Sequence, residues 1–253
     1  IAPYVDFWNV INEFNLYNDE EHIDFKLGSV RFHALGYHII KKYSDKPVSS
    51  AHALVQYMPK RPFDRFDSVM AEFNDLRDHE FFFHAMRTGE ILYPYREGAY
   101  DPDVKNTVDY WSINTYVRDL IDARTPTSWG SRFIFKKMKM IPTDFYLEEF
   151  NPECIINNLS RLTDKPVYIT ENGCSCDDDR FRIAFIAVYT AAVREAINLG
   201  VDVRGYLYWS MLDNYEWSSY TPRFGLCSVD RSTFERTLKP SADFYRELIA
   251  QNG

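Results

Sequence analysis

The chain has 253 residues, 45% apolar and 26% charged, with a formal net charge of −8. That is an ordinary globular composition, and its acidity argues against nucleic acid as the main partner. No run of eighteen apolar residues is present, so no membrane span is expected, and the four cysteines do not make a dense disulfide framework, which leans towards a reducing, cytoplasmic compartment.

Strand and helix patterns alternate along the chain. Val5 to Asn12 reads as a strand of aromatic and branched residues. Gly28 to Ser44 follows as an amphipathic helix, with Val30, Ala34, Tyr37 and Ile40 at helical spacing. Lys46 to Pro59 is a second strand region, and Arg65 to Glu90 a long helix ending at Gly89. Val108 to Val117 is a third strand, followed by a helix over Asn151 to Thr163. Lys165 to Thr170 is a fourth strand. The helix over Asp177 to Gly200 has acidic residues in its first turn and a glycine at its end. Val203 to Leu212 is a fifth strand, and Ser241 to Gln251 closes the chain as a helix.

Strand–helix repeats with apolar strands predict a parallel sheet covered by helices. No Gly/Ser linker, low-complexity tract or short-period repeat divides the chain, so residues 1–253 count as one domain. Neither GxGxxG nor GxxxxGK(S/T) occurs, which leaves nucleotide binding without support. The aromatics stand out at 17%. Core packing accounts for most of them, and such a surplus also suits a pocket that stacks on flat ligands such as sugar rings.

Three strand ends carry polar side chains: Asn12-Glu13, Asn114 with Tyr116, and Glu171-Asn172. A glutamate at the tip of "KPVYIT" could simply point into water. Parallel barrels, however, place their chemistry at the C-terminal ends of strands. Two carboxylates at one such face are the minimum for glycoside hydrolysis, one protonating the leaving oxygen while the other attacks the anomeric carbon or activates water. On the residues alone both readings of Glu171 stay open.

The C-terminal stretch narrows them. "VYITENG", followed about thirty residues later by "DVRGYLYWSMLDNYEWSSYTPRFGLCSVD", resembles glycoside hydrolase family 1, the retaining β-glucosidases and β-galactosidases. Trp209 to Trp217 matches that family's W-S-x-x-D-N-x-E-W loop, "INTY" resembles its I-N-Y-Y, and "NE" its N-E-P. The resemblance implies a (β/α)8 TIM barrel, of which this chain supplies roughly strands four to eight. It implies Glu171 as nucleophile and Glu13 as general acid and later base, about 5–5.5 Å apart in a retaining enzyme. Asn12 would bind the sugar 2-hydroxyl, and Tyr116 would hydrogen-bond the nucleophile and help keep it ionised. Glu216 and Trp217 would bind glycone hydroxyls, with Trp209 as the stacking platform. The nucleophile must be charged at rest and the acid protonated, so the two are expected in different environments. No metal or organic cofactor is implied.

Two positions depart from the family pattern. Phe14 stands where the proline after the acid/base belongs, removing a rigid backbone constraint. Thr115 replaces the middle tyrosine of I-N-Y-Y and should face away from the pocket. The family's glycone ligands from strands one and three have no counterpart. "HEFFFH" (His79 to His84) has the wrong spacing for HExxH and falls in a predicted helix, where core and surface positions explain it better. "CSCDDD" (Cys174 to Asp179) reads as a strand-to-helix turn with an acidic helix start rather than a metal loop.

The function expected is a retaining β-glycosidase acting on terminal unphosphorylated β-D-glycosides. Its rivals are a 6-phospho-β-glycosidase and a catalytically impaired sugar-binding or scaffold protein that keeps the barrel. Glu216 would repel a substrate phosphate. A barrel closes eight strands, yet five are predicted here and the acid/base motif already arrives at residue 13. The expectation is a chain that is not autonomous, its barrel completed by an N-terminal portion of the same protein, a cleaved fragment or another chain.

Overall fold

The computed structural model describes residues 2–16, 22–124 and 150–252. Strand β1 (Trp8–Asn12) is shorter than expected because Val5 bonds back to the Ala2 carbonyl and closes a turn. Helix α1 (Ile23–Lys41) starts before Gly28. Its inner face includes Ile23 and also Lys26, a buried cation paired with Asp78 at 2.8 Å, and a lysine hides the apolar period. The second strand region splits into β2 (Val48–Ala53) and β3 (Gln56–Pro59).

The long helix predicted over Arg65 to Glu90 comes in three pieces: α2 (Arg65–Asp75), a π-helical turn (Leu76–Glu80) and α3 (Phe81–Thr88). Asp64 caps it, its carboxylate accepting from the amides of Phe66 and Asp67. Gly89 ends it at φ 85°, a conformation open to glycine at little steric cost. The π turn carries Asp78 and His79, both buried. Phe81, Phe82 and Phe83, successive positions spread around α3, are all buried in the main core.

A short antiparallel ribbon, β4 (Glu90–Ile91) with β5 (Ala99–Tyr100), precedes β6 (Trp111–Asn114) and β7 (Arg118–Ile121). Helix α4 (Glu153–Leu159), β8 (Val167–Asn172), α5 (Asp179–Asn198) and β9 (Val203–Tyr208) continue the alternation. A second ribbon, β10 (Cys227–Val229) with β11 (Arg236–Leu238), leads into α6 (Pro240–Asn252). Pro240 takes the first position of α6, where its missing N–H is no loss. Ser241 is therefore inside the helix, and its amide and hydroxyl bind the Asp179 carboxylate at the start of α5.

The main sheet has the order β1-β2-β6-β8-β9, and every neighbouring pair is parallel. Its five strands are the five read from the sequence. β3 and β7 leave it to pair with each other. Every residue of β2 and β6 is buried, β8 alternates between buried and partly exposed positions at its start, and no residue of β1 is buried. α1 packs on β1 and β2, and α5 on β9. The outward face of α1 still shows Phe25, Phe32, Leu35 and Ile39 to solvent, at spacings that put them on one side of the helix.

Candidate active site

The register of three strand pairs shifts near their C-terminal ends: between Asn9 and Asn12 on β1, Ile113 and Asn114 on β6, and Ile169 and Asn172 on β8. Such irregularities bend a strand locally and re-aim its side chains. Polar residues from all these strand ends meet there.

Glu13 follows β1 at φ 50°, with its amide donating to the Ala51 carbonyl at 2.8 Å. Asn114, at the end of β6, donates from Nδ2 to Glu13 Oε1 at 3.0 Å and to Asn12 Oδ1 at 3.2 Å. Asn114 Oδ1 accepts from the Thr170 hydroxyl at 2.7 Å, which fixes the side-chain amide's orientation. On β8, Glu171 Oε2 accepts from the Tyr116 hydroxyl at 2.8 Å. Asn172 donates to the Thr115 carbonyl and accepts from the Tyr206 hydroxyl, both at 2.7 Å, so the strand end is tied on both sides.

Gly173 then lets the chain after β9 come close. A Cβ there would lie 1.9 Å from the Trp209 carbonyl oxygen, so any side chain would push this contact apart. Trp209 donates its backbone amide to the Asn172 carbonyl, and the Trp209–Ser210 peptide is cis. The Trp209 indole N–H donates to Glu216 Oε1 at 2.9 Å. Glu216 sits in a tight turn in which it and Ser219 exchange backbone hydrogen bonds. Behind it, Asp213 Oδ1 accepts from the Gly225 amide at 2.8 Å and from Lys239 Nζ at 2.9 Å, anchoring the loop. Trp217, at φ 44°, is half exposed.

The carboxyls influence one another. Burial raises the Glu171 pKa, the facing charge of Glu13 adds to this, and Glu216 adds again; hydrogen bonds from Tyr116 and Asn114 oppose the rise, and the result is about 7. Glu13 is raised by burial, against the Asn114 hydrogen bond, with a further contribution from the charge of Glu216. Glu216 is raised by its own burial. Both carboxyls are pushed upward, Glu171 to about 7. Burial and a facing like charge both favour the protonated form of a carboxyl.

All seven residues singled out from the sequence lie on strand ends, or on loops leaving them, at one end of the sheet. Glu13, Asn12, Tyr116 and Glu171 join one hydrogen-bonded group through Asn114, and Trp209 joins Glu216. Phe14 does not leave the backbone after Glu13 loose. It is 2% exposed and packs against Phe81, Phe82 and His52, so burial replaces the ring constraint of proline. Thr115 does face away, its hydroxyl accepting from Asn158 of α4 at 2.9 Å. The central role of Asn114 was visible in the sequence only as a polar strand end. Nothing in the sequence tied Lys239 to Asp213.

His79 is buried in the π turn, with its Nε2 2.9 Å from the Val55 carbonyl oxygen, while His84 pairs with Glu90. "CSCDDD" forms the turn into α5, with Asp178 as the cap accepting from the Arg180 amide at 3.0 Å. Among the described residues no group of three or more His, Cys, Asp or Glu side chains is arranged to hold a metal ion.

A parallel sheet with helical crossovers and paired carboxylates at the C-terminal ends of its strands is the arrangement of a barrel hydrolase. The family profile "Glycosyl hydrolase family 1" matches residues 29–253, and the chain belongs to that family. It is 34% identical over 240 residues to a protein named beta-galactosidase from Sulfolobus acidocaldarius, covering 90% of this chain and 48% of that one. A beta-galactosidase from Saccharolobus solfataricus is 36% identical over 236 residues, covering 88% and 47%. The chain thus spans about half the length of these relatives. Among solved structures, the family 1 β-glucosidase from Thermotoga maritima superposes with a TM-score of 0.84 at 23% identity, covering 100% of this chain and 65% of that one. The β-glycosidase from Thermosphaera aggregans gives 0.81 at 26% identity, covering 98% and 56%. The fold is that of the family's TIM barrel, in part.

Proposed function

We propose that this chain carries the two catalytic glutamates of a retaining β-glycosidase acting on terminal, unphosphorylated β-D-glycosides. One observation carries the reading: Glu13 and Glu171, from strand ends 158 positions apart in sequence, share one site in which Asn114 donates to Glu13 and supports Glu171. In the first step a Glu171 carboxylate oxygen attacks the anomeric carbon. The bond to the glycosidic oxygen breaks, and Glu13 gives its proton to that oxygen. In the second step Glu13 takes a proton from water, whose oxygen attacks the anomeric carbon and releases Glu171. The mechanism needs Glu171 charged and Glu13 protonated as the bond breaks, so Glu171 reacts from its ionised fraction, its pKa standing at about 7. The Tyr116 hydroxyl supports this, since its hydrogen bond favours the charged form of Glu171.

Asn12 takes the sugar 2-hydroxyl in this reading, Glu216 and Trp217 other glycone hydroxyls, and Trp209 the face of the ring. Glu216 favours neutral over phosphorylated sugars because its charge repels a phosphate. The relatives' names include both galactosidase and glucosidase, so the glycone is left to assay.

We further propose that the chain supplies barrel strands four to eight, and that further strand–helix units from the same protein, a cleaved fragment or another chain complete it. The exposed residues of β1 and β9 and the apolar outer face of α1 support this. The four cysteines are buried, and Cys174 and Cys176 keep their sulfurs 3.9 Å apart, beyond a disulfide bond, which supports a reducing, cytoplasmic location that cell fractionation would test.

Hydrolysis of aryl β-glucosides and β-galactosides tests the activity, with product anomer followed by NMR. Retention at the anomeric carbon is expected; inversion would overturn the mechanism. Glycoside binding without turnover would favour the silent sugar-binding reading. A monomeric, folded 29.9 kDa species active on its own would overturn the barrel-completion proposal.

A further inference from the structure

The ladder between β1 and β2 pairs Asn12 with Ala51, and the Glu13 amide makes its last backbone bond. Two residues later a side chain takes over. Asn15 Oδ1 accepts from the Ala53 amide at 3.1 Å, and Asn15 Nδ2 donates to the Ala53 carbonyl at 2.8 Å. Ala53 thus has both of its backbone groups met by one side-chain amide, as a further strand residue would meet them. The second Nδ2 hydrogen goes to the Asp78 carbonyl in the π turn, at 3.1 Å. Asn15 is 3% exposed, and all its amide hydrogens and its oxygen are used.

The surroundings admit little else. His52 Nε2 lies 3.2 Å from Asn15 Nδ2 and 3.0 Å from His79 Nδ1. His79 Nε2 faces a carbonyl oxygen, so it carries the hydrogen and Nδ1 is left to accept. His52 Nε2 therefore donates to His79 and makes only a packing contact with Asn15. His52 Nδ1 is left a buried lone pair without a partner among the described residues. Burial keeps both rings neutral at ordinary pH by lowering their pKa values. A carboxylate at position 15 would meet two carbonyl oxygens, and a hydroxyl could not span both groups of Ala53.

Glu13 stands at positive φ, which a residue with a side chain holds only when its surroundings impose it. We infer that Asn15 is the positioning residue for Glu13, its amide standing in for the missing continuation of β1 and holding the turn that aims the Glu13 carboxyl at Asn114. Asn15 touches neither the reacting atoms nor any proposed sugar ligand. The kinetic part of this inference rests on Glu13 being the acid/base; the geometric part does not.

The test uses the full chain with Asn15→Ala, and with Asn15→Leu, which fills similar space without the amide, should the alanine variant fail to fold. Glutamate carboxyls labelled with ¹³C are titrated by NMR, the Glu13 signal being the one lost in Glu13→Gln. Without its tether the carboxyl swings towards water, and its pKa falls towards the ordinary glutamate range by about half a unit or more. In parallel, kcat/KM on a poorly leaving alkyl glycoside should drop about tenfold or more relative to a dinitrophenyl glycoside. Glu171 should still be labelled by an activated fluorosugar. A Glu13 titration identical to that of the unsubstituted chain overturns the inference, even if both substrates slow equally, because that pattern belongs to a purely structural residue. If the unsubstituted chain, supplied with the rest of its barrel, turns over neither substrate, the glycosidase reading fails and the titration still decides the positioning.

Discussion

Glu171 leaves the sheet from β8, which has β6 on one side and β9 on the other; Glu13 leaves it from β1, which among the described residues pairs only with β2. The backbone around Glu171 is held by ladders in both directions and by Asn172, whose side chain bonds Thr115 and Tyr206. The turn at Glu13 has a ladder on one side alone. There the hold comes from buried side chains that follow it, Phe14 in an aromatic cluster and Asn15 on Ala53 and Asp78. An interior strand positions a carboxylate through main-chain bonds that almost any sequence can make, whereas an edge strand needs particular residues.

The largest break in this comparison is Glu171→Gln. The amide cannot attack the anomeric carbon, and kcat is expected to fall by about 10⁴-fold or more with the fold retained. Steady-state rates and circular dichroism check both halves, and labelling of another residue by a fluorosugar would remove Glu171 as nucleophile. Glu13→Ala comes next. It should lower rates on poor leaving groups by about 10²–10³-fold and spare activated phenols in the first step, with azide partly restoring the second. Equal losses across leaving groups would show that Glu13 is not the acid.

The same contrast has a pH signature in stability. Glu171 titrates near 7 in the folded chain against an ordinary value of 4.5. Between those values the folded state binds more protons than the unfolded one, so its stability is full below about pH 4.5 and declines as pH rises towards 7. Glu171→Gln removes this dependence. The variant should match the parent chain at pH 4 and exceed it at pH 7.5 by an amount on the order of 3 kcal/mol. Thermal melts across pH would read it, and parallel curves for the two proteins would contradict the raised pKa. Smallest of the set, Glu216→Ser should weaken transition-state binding of glycosides by about 1.5–3 kcal/mol through loss of a charged hydrogen-bond acceptor. An unchanged kcat/KM would take Glu216 out of the glycone site.

Much of this was legible before any coordinates. The apolar run ending at Thr170 located β8, and the alternation of strands and helices located the five-stranded parallel sheet. Misplaced boundaries have specific causes. Lys26 and Asp78 are charged yet buried against each other, so the period that marks α1 is broken by a residue that belongs to its inner face. β2 is fully buried with the sequence VSSAHA, in which polar residues are satisfied locally: Ser50 accepts from the Ile11 amide, and His33 lies 2.7 Å from its hydroxyl. The ribbons of two or three residues are too short for any period to register. The candidate carboxylates could be named from motifs, but the Asn114 link, the Lys239 anchor and the Asn15 tether join positions far apart in the chain.

Local sequence determined which residues end strands and which side chains those ends carry, because alternation, glycine and proline act over a few neighbouring residues. It also determined the family motifs around Glu171 and Trp209 to Trp217. Tertiary structure alone decided that the charge of Glu13 raises the pKa of Glu171, that Phe14 is held by burial instead of a proline ring, and that an asparagine side chain extends β1. These depend on distances between segments that only the packed sheet brings together, and charge–charge and hydrogen-bond interactions fall away within a few ångströms.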